Sequence, residues 1–257
     1  MSFLDSAEYD AGNAVEKDVV GGGFKTLTSD VYQFEILLAY FSKSAGGAKA
    51  VNLELKNVAT GNKHRFTTYV SNKQGSIKYK DKQTGELKYL PGFQSMDSLC
   101  LLAAGKPLVT LQDLTETKTI NLYNYELKKE VPTDVPMLMP LIGKVIKAGV
   151  LEVIENKNAK NQSTGQYEPT NEKRTSNELD KFFRDRDDMT VGEIIAKKTE
   201  AVFIKEWLDK WQGKPNDKFK AVSQAGTSGA PGGAFAGGAA GAGEPAGTTA
   251  GQSDLFL

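Results

Sequence analysis

In VYQFEILLAYF (31–41) the residues Tyr32, Phe34, Ile36, Leu38 and Tyr40 recur at every second position, a period that fits a strand against a core and no helix. The same alternation returns in AVNLELKNV (50–58), with Val51, Leu53 and Leu55 on one face and Asn52, Glu54 and Lys56 on the other. Between the two lies SKSAGGA, a flexible, basic loop. A second turn, ATGNK, leads into HRFTTYV, and GSIKYKDKQTGELKYLPGF (75–93) has the form of a hairpin turned at Gln83 to Gly85. The expectation is an antiparallel meander.

The period changes in QSMDSLCLLAA (94–104), where Met96, Leu99, Cys100, Leu102 and Ala103 fit one helical face, and Gly105 with Pro107 marks its end. Strand-like patterning resumes in TKTINLYNYEL (117–127) and GKVIKAGVLEVI (143–154), joined by the proline-rich connection VPTDVPMLMP. The fold class expected is mainly β with added helices. Five strands with a helix after the third is the order of an OB-fold-like barrel, a partly open architecture used for oligonucleotides. Residues 156–178 form a polar stretch too long for an ordinary connection, expected to be a mobile or functional loop. Thr190 and Glu193 have capping-box spacing ahead of one or two helices ending at Gly213, with Trp207, Leu208 and Trp211 inward. The predicted organisation is a lead-in over 1–29, a domain with a helical C-terminal extension over 30–220, a linker over 221–251 and a tip over 252–257.

That linker is a compositional break: 19 of the 28 residues from Gln224 to Gly251 are Gly or Ala, too little apolar surface to offset ordering entropy, so disorder is expected. As a flexible coil of ~30 residues it holds the tip on the order of 30 Å from the body. Charges balance at 32 basic and 32 acidic, but every Lys and Arg lies at or before Lys220, so a neutral total does not argue against a nucleic-acid partner. The single Cys100 excludes a disulfide framework and a multi-thiolate metal site, which fits a reducing cytoplasm. No export signal and no apolar run of membrane-spanning length is read in the sequence.

Catalysis is poorly supplied. One histidine, His64, and one cysteine give no His-bearing triad, and the metalloprotease, Cys-x-x-Cys and phosphate-loop patterns are absent, so no enzyme and no cofactor is expected. GGGFKT at Gly21 has the wrong spacing for a nucleotide loop and reads as a lead-in. RDRDDM (184–189) could hold a cation through Asp185, Asp187 and Asp188, as in a nuclease, or form a solvated turn mixed with arginines.

A single-strand groove, by contrast, needs cations for phosphates and flat side chains for bases, and tolerates any sequence because every base has a π-face. Arg65, Tyr69, Lys73, Lys78, Tyr79, Lys80, Lys82, Lys88, Tyr89 and Phe93 interleave the two kinds. Lysine and tyrosine fall on opposite faces within IKYK and LKY, so these residues cannot all reach one ligand. Tyr123 and Tyr125 share a face farther on, followed by Lys128 and Lys129.

A strand-rich body, a long Gly/Ala tail and a short acidic, aromatic tip together resemble the bacteriophage single-stranded DNA-binding proteins. The resemblance implies an OB-fold, non-enzymatic coating of single strands in replication, recombination or repair, and a tail that recruits replication proteins in the cytoplasm of an infected host. The tip can be matched in two ways. Asp254 and Phe256 correspond to an acidic tip with its aromatic, although there is one acid and Leu257 follows. Gln252, Ser253, Asp254, Leu255 and Phe256 correspond to a bacterial sliding-clamp peptide in which Ser253 replaces a leucine. Such a peptide buries Leu255 and Phe256 while Gln252 bonds at the pocket rim. The partners implied are single-stranded DNA and, through the tip, a clamp, a polymerase or another replication or recombination protein. The reading from a different class is a structural or adaptor protein that binds other phage or replisome proteins.

Overall fold

β1 (Asp30–Lys43) buries Phe34 and Ile36 as its alternation predicts, then slips. The computed structural model, which describes residues 26–124, 127–162 and 164–222, has a bulge between Ile36 and Leu38 where β1 pairs antiparallel with β2 (Lys49–Asn57). The extra residue reverses the faces, so Ala39 is buried and Tyr40 lies half-buried opposite Asn52, on the side away from Val51, Leu53 and Leu55. β2 keeps its predicted faces, and β3 (Lys63–Tyr69) pairs antiparallel on its far side.

β4 (Lys78–Lys80) and β5 (Leu87–Tyr89) form the expected hairpin, its turn held by Asp81 Oδ1, which accepts from the Gln83 and Thr84 amides. α1 (Pro91–Ala104) starts with proline in its first turn, where no N–H is needed, and stops at Gly105 in the left-handed conformation. It buries Phe93, Met96, Leu99 and Cys100 against the sheet, and α2 (Leu108–Leu111) adds Leu108 and Leu111 to the same core.

Two expectations fail here. The proline-rich connection is largely a strand, β7 (Lys129–Met137), paired in full with β6 (Glu116–Asn124) and with β1 at Met137 opposite Tyr40. Pro132 and Pro136 are four apart, so both ring nitrogens point to the same edge and cost no β6 bond. The polar stretch 156–178 is likewise not a loop. β8 (Val145–Lys160) and β9 (Tyr167–Phe183) continue through it as one long hairpin with a short turn at 161–166.

After β9, α3 (Val191–Ile195) has the predicted capping box and α4 (Phe203–Trp211) buries Trp207 against Leu151, Val153 and Phe183. A Cβ on Gly149 would lie 2.8 Å from the Trp207 ring, so the indole needs a glycine beneath it. β10 (Asn216–Asp217) pairs parallel with β8, and two side chains carry the chain onward. Asn156 exchanges both hydrogen bonds with the backbone of Lys220, and Asn171 does the same with Val222.

The main sheet runs β9-β8-β1-β2-β3 with neighbours antiparallel, so β3 and β9, at its two ends, point the same way. They line a common cleft, yet no strand pairing joins them among the described residues, and no closed barrel results. No helix among those residues is long and apolar enough to cross a membrane.

Candidate nucleic-acid interface

Lys43 and Lys49 end the β1–β2 ladder as directly opposite residues, an arrangement that like charges make unfavourable. Lys73, from the segment after β3, lays its stem on the intervening loop: a Cβ at Gly46 would lie 3.6 Å from Lys73 Cε. At Gly47, held at φ 95°, a Cβ would lie 2.8 Å from the Lys73 carbonyl oxygen and 3.9 Å from Lys43 Cε. The two glycines therefore make room for three lysines, all exposed and none with an ion-pair partner within 4.0 Å among the described residues. Lys43 and Lys49 escape sequence reading as a pair. Their signal was two lysines flanking a glycine-rich hairpin loop, where register sets them face to face.

Tyr69 borders this cluster. It ends β3 with 37% of its surface exposed, and the next amide, Val70, donates to the Lys49 carbonyl at 2.9 Å. The outward face of β1–β3 continues as a polar strip in which Thr67 Oγ1 donates to Asn52 Oδ1 and Asn52 Nδ2 to Ser42 Oγ. Arg65 lies on this strip, its Nε donating to Glu54 Oε2 at 2.8 Å, while Lys63 holds the other oxygen at 3.1 Å. Burial works to raise the Glu54 pKa, but the bonds from Arg65 and Lys63 prevail and hold it below the usual carboxylate range. The Tyr40 hydroxyl is shifted up, chiefly by burial.

The β4–β5 hairpin supplies a second patch. Alternation separates lysine from tyrosine within each strand, but the register sets Lys78 directly opposite Tyr89, with its ammonium 4.4 Å from the ring centroid. Tyr89, 42% exposed, stacks on Phe93 at 5.3 Å and 17°. The two patches join through Gly92, whose Cβ position lies 2.2 Å from the Tyr69 carbonyl oxygen; only glycine lets α1 start that close to β3.

Other proposed contacts fall away from this surface or are spoken for. Phe93 is buried and serves as the support under Tyr89, and Tyr79 packs against the core. Lys88 donates to Asp81 at 2.6 Å; that bond and those from the Thr84 and Gln83 amides bring the Asp81 carboxyl to about 2. Lys80 is exposed beside Gly85. Tyr123 is half exposed on the β6–β7 hairpin. Tyr125, Gln252, Asp254, Leu255 and Phe256 lie outside the described residues.

The cleft between β3 and β9 has two adjoining parts of ≈ 540 and ≈ 400 Å³, sharing Thr68, Pro91, Gly92 and Leu179. Arg65 and Lys218 stand on its walls, Lys218 paired with Glu178 at 2.8 Å.

The acidic turn does not assemble a cation site. Arg184 holds Asp187, Gln33 donates to Asp185 at 2.6 Å, and Lys147 pairs with Asp188 at 2.6 Å, so the three carboxylates diverge. No group of three potential ligands exists among the described residues. His64 is buried edge-on to Phe34, its pKa lowered by burial, and the buried Cys100 thiol is pushed up to about 12, first by burial and then by Asp97.

No family model matches the chain, and no curated protein matches it.

Proposed function

We propose that this protein binds single-stranded DNA without sequence preference, holding phosphates with the Lys43–Lys49–Lys73 cluster and bases on Tyr69 and Tyr89. The observation that carries the reading is the lysine cluster, without an ion-pair partner among the described residues: three like charges crowded on a glycine loop, which a phosphate backbone would relieve. The adjoining aromatic, Tyr69, and the exposed, stacked Tyr89 supply the flat surfaces that a cationic groove alone lacks. The OB-fold-like reading also finds support in a five-strand antiparallel run, open between its end strands, with α1 after the third. The fourth and fifth strands of such a barrel are then β8 and β9, not the segments 117–127 and 143–154 expected from the sequence, and β6–β7 is an added hairpin.

Replication or recombination is the process in which such a protein would work, with residues 252–257 recruiting a clamp, polymerase or related partner. Titration of fluorescent oligo(dT) over a salt series tests the proposal. Binding that weakens steeply with salt and exceeds duplex binding is expected. No binding at low salt, or equal affinity for duplex, favours the adaptor reading instead.

A further inference from the structure

The β6–β7 hairpin has two outer edges, and they are unequal. Pro132 and Pro136 stand opposite Asn121 and Thr117 in pairs that exchange no ladder bond, so β7 turns two ring nitrogens outward where an added strand would need N–H donors. β7 is also engaged at its base, where Met137 pairs with Tyr40 of β1. The same alternation turns the N–H and C=O groups of Thr117, Thr119 and Asn121 to the outer edge of β6, where no strand takes them up among the described residues. That edge is nine residues long and has no proline, and its charges are Glu116 and Lys118, ion-paired to each other at 2.8 Å. One edge is closed to a further strand and the other is open to it.

The strand that fits this edge is a second β6. Set antiparallel about a two-fold axis at Ile120, two copies pair over all nine residues, with Thr119 of each hydrogen-bonded opposite Asn121 of the other. No like charges face each other, since Glu116 falls opposite Asn124 and Lys118 opposite Leu122. Asn124 already pairs with Lys129 of its own β7, so Glu116 of the second copy and the exposed Lys129 flank one short asparagine on the same face. The two-fold axis repeats this meeting of opposite charges at both ends of the contact. Ile120, Leu122 and Val131 lie half-buried on that face in one copy, and two copies join them into one apolar stripe across four strands.

We propose that the outer edge of β6 is a self-association surface, on which two copies of this chain join as a two-fold dimer through a four-stranded sheet, β7-β6-β6-β7. The inference does not rest on the DNA-binding reading, and its test contains no DNA. Sedimentation of the full chain should show a dimer that dissociates on dilution; a chain that stays monomeric up to about 1 mM overturns the proposal. Asn121→Pro removes an outward N–H and costs β6–β7 no bond. By symmetry each dimer loses two bonds, so dimerisation should weaken about tenfold while the far-ultraviolet dichroism holds. Ile120→Lys, which sets two like charges face to face on the axis, should abolish the dimer and serves as the second variant if the proline disturbs the hairpin. A dimer that both variants leave intact lies elsewhere and overturns the proposal. Ile120→Cys tests the register, because its two copies would stand about 4.5 Å apart between Cα atoms, within disulfide reach. Oxidation should link that variant into covalent dimers and leave Glu116→Cys unlinked, its two copies being about 27 Å apart. Cys100, buried with its thiol pushed up to about 12, takes no part. No linkage at 120, or equal linkage at 116, also overturns the proposal.

Discussion

Lys43 and Lys49 stand directly opposite each other at the end of the β1–β2 ladder, with Lys73 folded over the loop that joins them. Exchanging all three for glutamine keeps the stems and removes the charges. At ~0.7 per phosphate contact, the slope of log affinity against log salt should fall by about 2. The melting temperature should hold or rise, because a like-charge pair is lost. An unchanged slope would place the phosphates elsewhere.

Tyr89 and Phe93 form one stack but have different jobs. Tyr89→Ala should cost about 1–3 kcal/mol of oligo(dT) affinity with little change in melting temperature, and Tyr89→Phe should bind as the parent does. Phe93→Ala should lower thermal stability by about 3–5 kcal/mol, since its ring is buried. Calorimetry and titration on the same samples separate the two effects.

Glu193 ties α3 to the start of α4. Its carboxylate accepts from the amides of Thr190, Val202 and Phe203. Burial alone would raise its pKa, but these bonds bring it from 4.5 to about 2. A group lowered on folding contributes stability that is complete above its unfolded value and fades as pH falls through the folded one. The parent should therefore lose stability between about pH 4.5 and 2. Glu193→Gln should be less stable by about 2 kcal/mol at neutral pH and show a flatter acid limb in denaturant melts.

Gly149→Ala should push the Trp207 ring off β8 and break the bond from its Nε1 to Asp180, now 2.7 Å. Overpacking of this kind costs about 1–3 kcal/mol. The near-ultraviolet dichroism of the tryptophans is the readout, and an unaltered spectrum would contradict the packing described.

Removing residues 252–257 should leave oligo(dT) affinity unchanged or slightly stronger, because an acidic tip repels DNA if it acts at all. Gln252→Ala separates the two tip readings: it should abolish binding to a sliding clamp if the amide is used at a pocket rim, and do nothing if only the acid and aromatic are read.

Much of the sheet was legible because β2 and the first half of β1 carry their burial in the period of their residues, and the β4–β5 hairpin shows in its turn residues. The bulge after Ile36 was not, since one inserted residue in an apolar run leaves no mark on hydropathy. The outer half of the β8–β9 hairpin was misread for the opposite reason: both of its faces meet solvent, so Asn156 to Glu178 show no alternation at all. The candidate site divides in the same way. Tyr69, Lys73, Lys78 and Tyr89 were visible as types, but the pairing of Lys78 with Tyr89 and of Lys43 with Lys49 is a property of register, which no single strand encodes.

Asn156 and Asn171 use their side-chain amides as a short imitation of a strand edge, fastening Lys220 and Val222 to the long hairpin. Mechanically this is a graded fastening. A pull on the chain beyond Val222 meets Asn171 first, Asn156 next, and the β8–β10 pairing only after both have let go. A load on the C-terminal segment is thus taken up by two side-chain amides before the sheet behind them bears any of it.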